Sequence, residues 1–309
     1  MDTHRTARLD LDAAQLLADF PPRFQDRNKQ LVYAIGGPQT AGTITMSRWA
    51  TRPLPREPGP PTAVSRHEGF FPYGGGPRDC WVNFADPELF GFYAGGLYAQ
   101  DEMQVTEHPA LASVRSAMAK AGVPTRTREG GHPTPVLVRG VERRVTVDTQ
   151  PDLAAGRIEG LYGNRFSRAS EAVLRSATRK LDPVPSTILA IAAPSPHHGL
   201  YDRETILDAL TTAYTGFAAA EFELGPGTVV HSGFWGCGAF GGNRVLMVAI
   251  QILAARLAGV GIAFHHGHIT GQHDCDEAIA LSQRWSGSTA DVVDSLVAAR
   301  FEWGVSDGN

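Results

Sequence analysis

The sequence predicts an α/β fold, a mixed sheet with helices layered on it. Two observations carry this. Short apolar runs alternate with helix-length segments along most of the chain, and 42% of the 309 residues are hydrophobic, enough for a sizeable core. A chain of this length holds one large α/β domain or two ordinary ones.

Near the start, Leu11, Leu16, Leu17 and Phe20 recur close to helical spacing and Pro21 and Pro22 end the run, so residues 11–20 read as a short amphipathic helix. From about Thr51 to Pro77 the chain carries RPLPREPGPP and YGGGP, which predict a long irregular surface segment. Residues 1–75 are accordingly expected to be an N-terminal accessory extension and residues 76–309 the main domain. In that domain, strand-like runs occur at WVNFA (81–85), VLVRGVERRVTV (136–147), STILAIAAP (186–194), TVVHS (228–232) and GVGIAFHH (259–266). Helix-like stretches lie between them at 98–108, 168–180, 203–219, 243–258 and 290–302.

The net charge of −4 offers no basic footprint for tracking nucleic-acid phosphates, so no nucleic-acid partner is expected. Three cysteines, Cys80, Cys237 and Cys275, form neither a disulfide framework nor a zinc-finger spacing, which fits a reducing cytoplasm. MDTHRTARLDLDAAQLLADF lacks a signal core, and the sequence has no long apolar span, so neither secretion nor membrane insertion is expected.

In HSGFWGCGAFGGNRVLMVAIQILAARLAG (231–259), an apolar strand ends in a glycine-rich loop that opens an apolar helix. Gly236, Gly238, Gly241 and Gly242 allow close backbone approach, Asn243 suits an N-cap, and the free N–H groups of a helix start attract anions. Such a loop serves phosphate binding or tight packing, and its spacing is neither Rossmann nor Walker. In GGLYAQDEMQVTEHPAL (95–111), Gln100, Asp101 and Glu102 occupy the first turn of a predicted helix. Adjacent acids there either decorate a favourable helix dipole or serve a ligand, and neighbours about 100° apart take different jobs.

Read together, these stretches resemble the poly(ADP-ribose) glycohydrolase family, whose catalytic domain is an elaborated macrodomain. NFAD (83–86), AGG (94–96), QDE (100–102) and Pro109 stand in the order of the family's Asp-Phe-Ala-Asn strand, glycine loop, Gln-Glu-Glu signature and proline. LDALTTAYTGF (207–217) is similar to its helix ending in Ala-Tyr-Cys-Gly-Phe. GFWGCGAFGGN (233–243) is close to its Gly-Asn-Trp-Gly-Cys-Gly-Ala-Phe-Gly-Gly-Asp. The resemblance implies a macrodomain-like three-layer α/β/α fold that hydrolyses an ADP-ribosyl linkage without a metal or other cofactor. On it, Glu102 would protonate the departing ribose oxygen, Asp101 and Gln100 would hold the ribose, and Gly95 and Gly96 would belong to a diphosphate loop. Gly238, Ala239, Phe240, Gly241 and Gly242 would cradle the diphosphate from the other side, Phe240 lying against sugar or phosphate, while Asn83 and Asp86 would lie near the base.

The chemistry of such a bond needs these residue types. Cleavage at a ribose anomeric carbon passes through an oxocarbenium-like state, which calls for an acid at the leaving group and negative charge near the sugar. A neighbouring carboxylate and partial burial keep such an acid protonated near neutral pH. The sequence departs from the family in three places. Only Leu97, Tyr98 and Ala99 separate the glycines from Gln100, Asn83 and Asp86 exchange the family's Asp and Asn, and Asp101 replaces a glutamate. The shortened loop brings in a second reading, a glycosidase or transferase for a small nucleotide or an NAD-derived metabolite; a non-catalytic ADP-ribose reader is the third. ADP-ribosylated protein is a further expected partner.

His265, His266, His268, His273, Asp274 and Cys275 cluster without a recognised zinc spacing, so a surface turn is expected, with a histidine at the pocket rim as the alternative. Cys237 is expected to pack rather than react, YGGGP to form a turn, and Trp235, Tyr214 and Phe217 to lie in the core.

Overall fold

The computed structural model describes residues 3–195, 197–267, 269–306 and 308. Its strands are β1 (Arg5–Asp12), β2 (Thr43–Trp49), β3 (Val64–His67), β4 (Asp79–Ala85), β5 (Arg128–Glu129), β6 (His132–Pro133), β7 (Val136–Val147), β8 (Thr178–Ala192), β9 (Val229–Ser232) and β10 (Gly261–His265). Its α-helices are α1 (Ala13–Asp19), α2 (Arg27–Gly36), α3 (Gln100–Glu107), α4 (Ala110–Lys120), α5 (Glu171–Ala177), α6 (Arg203–Leu224), α7 (Arg244–Ala258), α8 (Ile269–Ser282) and α9 (Thr289–Ala298), with a 3-10 helix at Gly163–Arg168.

One eight-stranded sheet runs β1-β2-β7-β8-β4-β9-β10-β3. Its β1-β2-β7-β8 half is antiparallel and its β8-β4-β9-β10-β3 half parallel. Because strand side chains alternate between faces, both faces of the central strands must be apolar if both are covered. They are. Cys80 and Val82 of β4, Leu189 and Ile191 of β8 and Ile262 and Phe264 of β10 pack with α6, α7 and α9. Their neighbours Trp81, Ile188 and Ala190 join Ile44, Met46 and Val138 under α1, α3 and α4. The product is the three-layer α/β/α arrangement expected.

Helix ends follow local chemistry. Asp202 caps α6 by accepting from Thr205 N at 2.8 Å, and Asn243 caps α7 by accepting from Leu246 N at 3.0 Å. Gly259 ends α7 in the left-handed conformation, φ 71°. The buried residues of α7, from Leu246 to Ala255, form an unbroken run, as expected of a helix enclosed between the sheet, α6 and α8. Trp235 and Phe217 are fully buried and Tyr214 nearly so.

The first 75 residues are not an accessory to this sheet. They supply β1 and β3, its two edges, and β2, which pairs with β7. β1 alternates charged and apolar residues, RTARLDLD, and β3 is four residues long, so neither gave an apolar run in the sequence. The short helix near residue 11 begins at Ala13, capped by Asp12. The helix expected over 168–180 stops at Ala177, where β8 takes over, and the prolines of β8, Pro183 and Pro185, sit at or beside a register shift between Arg143 and Val145 of β7. Residues 269–282 form α8 where a surface turn is expected; Cys275 and Ala278 are buried, and the apolar period is masked by histidines and acids.

The sheet therefore requires its N-terminal strands. A chain beginning at residue 76 is expected to lose cooperative thermal unfolding, followed by circular dichroism, because β2 would no longer cover β7. A cooperative transition from that shortened chain would show residues 1–75 to be dispensable.

Candidate active site

Helix α3 starts against an unfinished strand edge. β4 pairs with β9 only from Asp79 to Trp81, leaving later backbone groups of β4 unmatched on that side. The Gln100 side chain completes the ladder: its Oε1 accepts from Phe84 N at 2.7 Å and its Nε2 donates to Val82 O at 3.0 Å, as a peptide unit of another strand would. Pinning Gln100 outward against β4 turns the next two residues inward. Asp101 and Glu102 are 7% and 5% exposed, so they do not decorate a solvated helix end.

Asp101 Oδ1 accepts a 2.9 Å hydrogen bond from Asn83 Nδ2, and Asn83 is itself fully buried, its own Oδ1 without a partner. Burial first, then the charge of Glu102, pushes the Asp101 carboxyl from its ordinary 3.8 up to about 7. Burial also raises Glu102, while the N–H of its own residue, the Lys29 ammonium and the N–H of Ala99 draw it back. Burial thus favours the protonated form of both acids. Asp86, whose Oδ1 caps its own turn at Glu88 N, 2.8 Å, lies close enough to add like charge to both.

A cleft of about 1100 Å³ opens beside this pair. From α3 it takes Gln100, Met103 and Glu107, the residues of one helical face; the buried Asp101 and Glu102 do not border it. Opposite are Gly238, Gly242 and Asn243 at the entrance of α7. Thus Gln100, Gly238 and Gly242 converge on one cleft. Gly95, Gly96, Asn83, Asp86, Ala239, Phe240 and Gly241 do not border it; Phe240 packs against the core.

The glycines show why. Gln25 N and Asp26 N both donate to Ala94 O, at 2.9 and 3.0 Å, and Tyr98 exchanges backbone hydrogen bonds with Gly163 while its ring stacks on Phe166 at 3.9 Å. These bonds hold the 94–99 loop against the start of α2 and the 3-10 helix. A Cβ on Gly96 would fall 2.9 Å from Cβ of Ser167, so packing alone demands glycine there. In the second loop, a Cβ on Gly242 would meet Gly236 O at 2.6 Å. Burial pushes the Cys237 thiol up, away from a reactive thiolate.

Much of the remaining wall is aromatic and comes from segments that carried no sequence signal. Phe70, Phe71 and Tyr73 of the proline- and glycine-rich stretch face the cleft with Phe84, Tyr162 and Phe234. Glu107 also faces it, paired with Arg143 at 2.7 Å, and the Arg143 guanidinium lies 4.7 Å above the Tyr73 ring. Position alone could mark Glu107, at i+7 from Gln100 on the same helix face; the aromatic wall has no periodic signature.

His265 and His266 are buried in the cleft wall, as the rim alternative anticipates. His265 Nε2 lies 3.1 Å from His231 Nδ1, and His231 Nε2 lies 3.4 Å from Asp79 Oδ1. Burial drives His265 down to about 3, so it faces the cleft uncharged. His268 lies outside the described residues, and among those described no three His, Cys, Asp or Glu residues are arranged to hold a metal.

The model of the family described as "Poly (ADP-ribose) glycohydrolase (PARG), Macro domain fold" matches residues 157–271, a span that contains the glycine-rich loop and α7. The resemblance read from the sequence is borne out there, and the architecture is macrodomain-like. Among solved structures, poly(ADP-ribose) glycohydrolase from Thermomonospora curvata is similar at 15% identity and TM-score 0.42, covering 94% of this chain and 88% of that one. The Thermomonospora curvata enzyme bound to the inhibitor ADP-HPD is similar at 18% identity and TM-score 0.44, covering 72% of this chain and 79% of that one. The Deinococcus radiodurans enzyme in complex with ADP-ribose shows 14% identity and TM-score 0.43, covering 90% of this chain and 95% of that one. No curated protein sequence matches the chain.

The raised carboxyl has a consequence for stability. Asp101 keeps its proton in the folded state after the unfolded chain has ionised, so its contribution is complete below about pH 3.8 and is lost as pH rises to about 7. Asp101→Asn, which preserves the acceptor for Asn83, is expected to flatten stability between pH 4 and 7 and to melt above the unmodified protein at pH 8. Parallel melting curves for the two proteins across that range would show that the carboxyl is not held protonated.

Proposed function

We propose that this protein is a glycoside hydrolase cleaving an ADP-ribosyl linkage, of poly- or mono-ADP-ribose, by general-acid catalysis. The observation that carries the reading is the buried acid pair Asp101 and Glu102, both raised by burial, next along α3 to Gln100, which lines a large cleft. Glu102 gives its proton to the leaving oxygen as the bond from that oxygen to the ribose anomeric carbon breaks. The bonding electrons depart with the oxygen, leaving an oxocarbenium-like ribose. Water then adds to the anomeric carbon and returns a proton to the Glu102 carboxylate.

Asp101, anchored by Asn83, positions the ribose, and the ligand's own diphosphate supplies negative field on the sugar's side. The α7 entrance, with Gly238 and Gly242 in the cleft wall, suits a diphosphate, since N–H groups at a helix start favour anions. The family match over residues 157–271 includes this loop and supports the assignment. Cleft size favours an ADP-ribosyl group over a smaller nucleotide, because about 1100 Å³ lies just above the usual range of roughly 300–1000 Å³ for small-molecule sites. Aromatic side chains in the wall suit a base or a sugar face. Among the described residues no helix is long and apolar enough to cross a membrane. Three free thiols fit a reducing compartment, and we place the protein in the cytoplasm.

The test is mass spectrometry of products after incubation with poly(ADP-ribose), mono-ADP-ribosylated protein or NAD. Free ADP-ribose is expected from one of the first two, with at least about 10²-fold less from Glu102→Gln, while ADP-ribose still raises that variant's melting temperature. Undiminished release by Glu102→Gln removes Glu102 as the acid. Binding of ADP-ribose with no release from any substrate makes the protein a reader, and turnover of NAD alone makes it a small-metabolite glycosidase.

A further inference from the structure

The segment that carries much of the aromatic wall, residues 70–75, is strained and thinly held. Tyr73 adopts φ 52°, left-handed backbone that is costly for a residue with a side chain and persists only where its surroundings impose it. Of the backbone groups of residues 70–75, the Pro72 carbonyl is the one with a hydrogen bond among the described residues, and its donor is Arg143 Nη1 at 2.8 Å. The rings add packing: Phe71 meets Trp81 at 5.4 Å, and Tyr73 meets Trp81 and His108 at 5.1 and 4.7 Å.

Arg143 reaches this segment because β7 bulges. Residues four apart on a regular strand face the same side, yet Arg139 donates to Glu223 O of α6 while Arg143 pairs with Glu107 of α3. Between them the β7–β8 register slips at Gly140, φ 80°, whose Cβ would fall 2.5 Å from Thr43 O, so glycine is required there. The slip moves the alternation by one residue, and Val138 and Val141 both lie in the core beneath α1, α3 and α4. Arg143 follows Val141 onto that face.

Every nitrogen of its guanidinium is then engaged. Nε donates to Glu107 Oε2 at 2.7 Å, Nη1 to Pro72 O, and Nη2 to Thr146 Oγ1 at 2.9 Å, while the guanidinium carbon stands 4.7 Å from the centre of the Tyr73 ring. Glu107 Oε1 accepts from Val147 N at 3.1 Å, which fixes the pair to β7 as well. A planar fork serves these directions at once; a lysine ammonium, a point charge on a flexible stem, does not.

We propose that Arg143 is a positioning residue that latches the aromatic wall: through Pro72 O and the Tyr73 ring it holds residues 70–73 down on the cleft, and through Glu107 it ties that wall to α3, the helix of Asp101 and Glu102. The latch stands on the packing alone. Its purpose, presenting aromatic rings to a base or sugar in fixed relation to the acids, rests on the ADP-ribosyl reading.

Chymotrypsin cleavage of the native full chain after Tyr73 reads the latch without requiring turnover. Arg143→Lys keeps a charge for Glu107 and loses the fork. Cleavage after Tyr73 is expected to run about 10-fold faster in it, beyond any change at sites elsewhere in the chain, which report global unfolding. The KM for an ADP-ribosyl substrate and the Kd for ADP-ribose should rise roughly 5- to 10-fold with kcat changed less than about twofold, whereas a general loss of structure would lower the active fraction and leave KM unmoved. Unchanged cleavage after Tyr73 overturns the latch. Faster cleavage with unmoved KM and Kd overturns its purpose. Faster cleavage in the variant, where the unmodified protein neither binds nor turns over an ADP-ribosyl ligand, leaves the latch standing and overturns the ADP-ribosyl reading instead. If Arg143→Lys does not fold, Tyr73→Leu takes the ring from under the guanidinium and leaves the Glu107 pair in place. Cleavage after Phe70 should then quicken, and an unchanged rate overturns the latch.

Discussion

The amide of Gln100 on the open edge of β4 is the interaction on which the site depends. Ala99 provides no side-chain cap for α3, so the helix start is fixed by this pair of hydrogen bonds to Phe84 N and Val82 O. With position 100 held at the strand edge, the 100° step of a helix leaves Asp101 facing Asn83 and buries Glu102 beside it. Sheet and site are thereby one construction. The strand that carries Asn83 also ends early against β9, and its shortfall is what recruits the glutamine.

A similar economy governs the glycines. Residues 94–99 form a brace between α3, the start of α2 and the 3-10 helix, with Gly96 allowing Ser167 to approach. The short connection to Gln100 leaves no slack for this brace to wrap a ligand. On the proposed function, anion recognition falls to the other loop, where Gly238 and Gly242 line the cleft at the mouth of α7. That helix is enclosed and rigid, so the N–H groups at its start are held in place by the core packing of Leu246 to Ala255.

The central strands and the long helices were legible in the sequence because each combines burial with a simple period. WVNFA became β4 and the run at 136–147 became β7, and α6 and α7 began at or beside the expected residues. What escaped were elements stabilised by partners distant in sequence. β1 is half polar because only one of its faces meets the core, and β3 is held by β10 rather than by its own apolar content. In the site, QDE marked the acids, but Lys29 and the aromatic wall of Phe70, Phe71 and Tyr73 came from segments that looked peripheral. A lysine in a short helix carries no sign of burial until a neighbouring chain segment closes over it.

Burying Lys29, Asp101 and Glu102 together stores an electrostatic cost that hydrophobic residues of the same volume would avoid. Each component alone would be worse. Two acids without the ammonium would be raised further, and the ammonium without the acids would tend to discharge into its neutral form. Together they leave the Asp101 carboxyl raised to about 7 and the Lys29 ammonium lowered to about 8. Such a state depends on the exclusion of water, since screening would return each carboxyl toward its ordinary value and release the proton. The burial of Glu102, which does not border the cleft that Gln100 and Met103 line, is thus a condition for its holding a proton as well as an obstacle to its access.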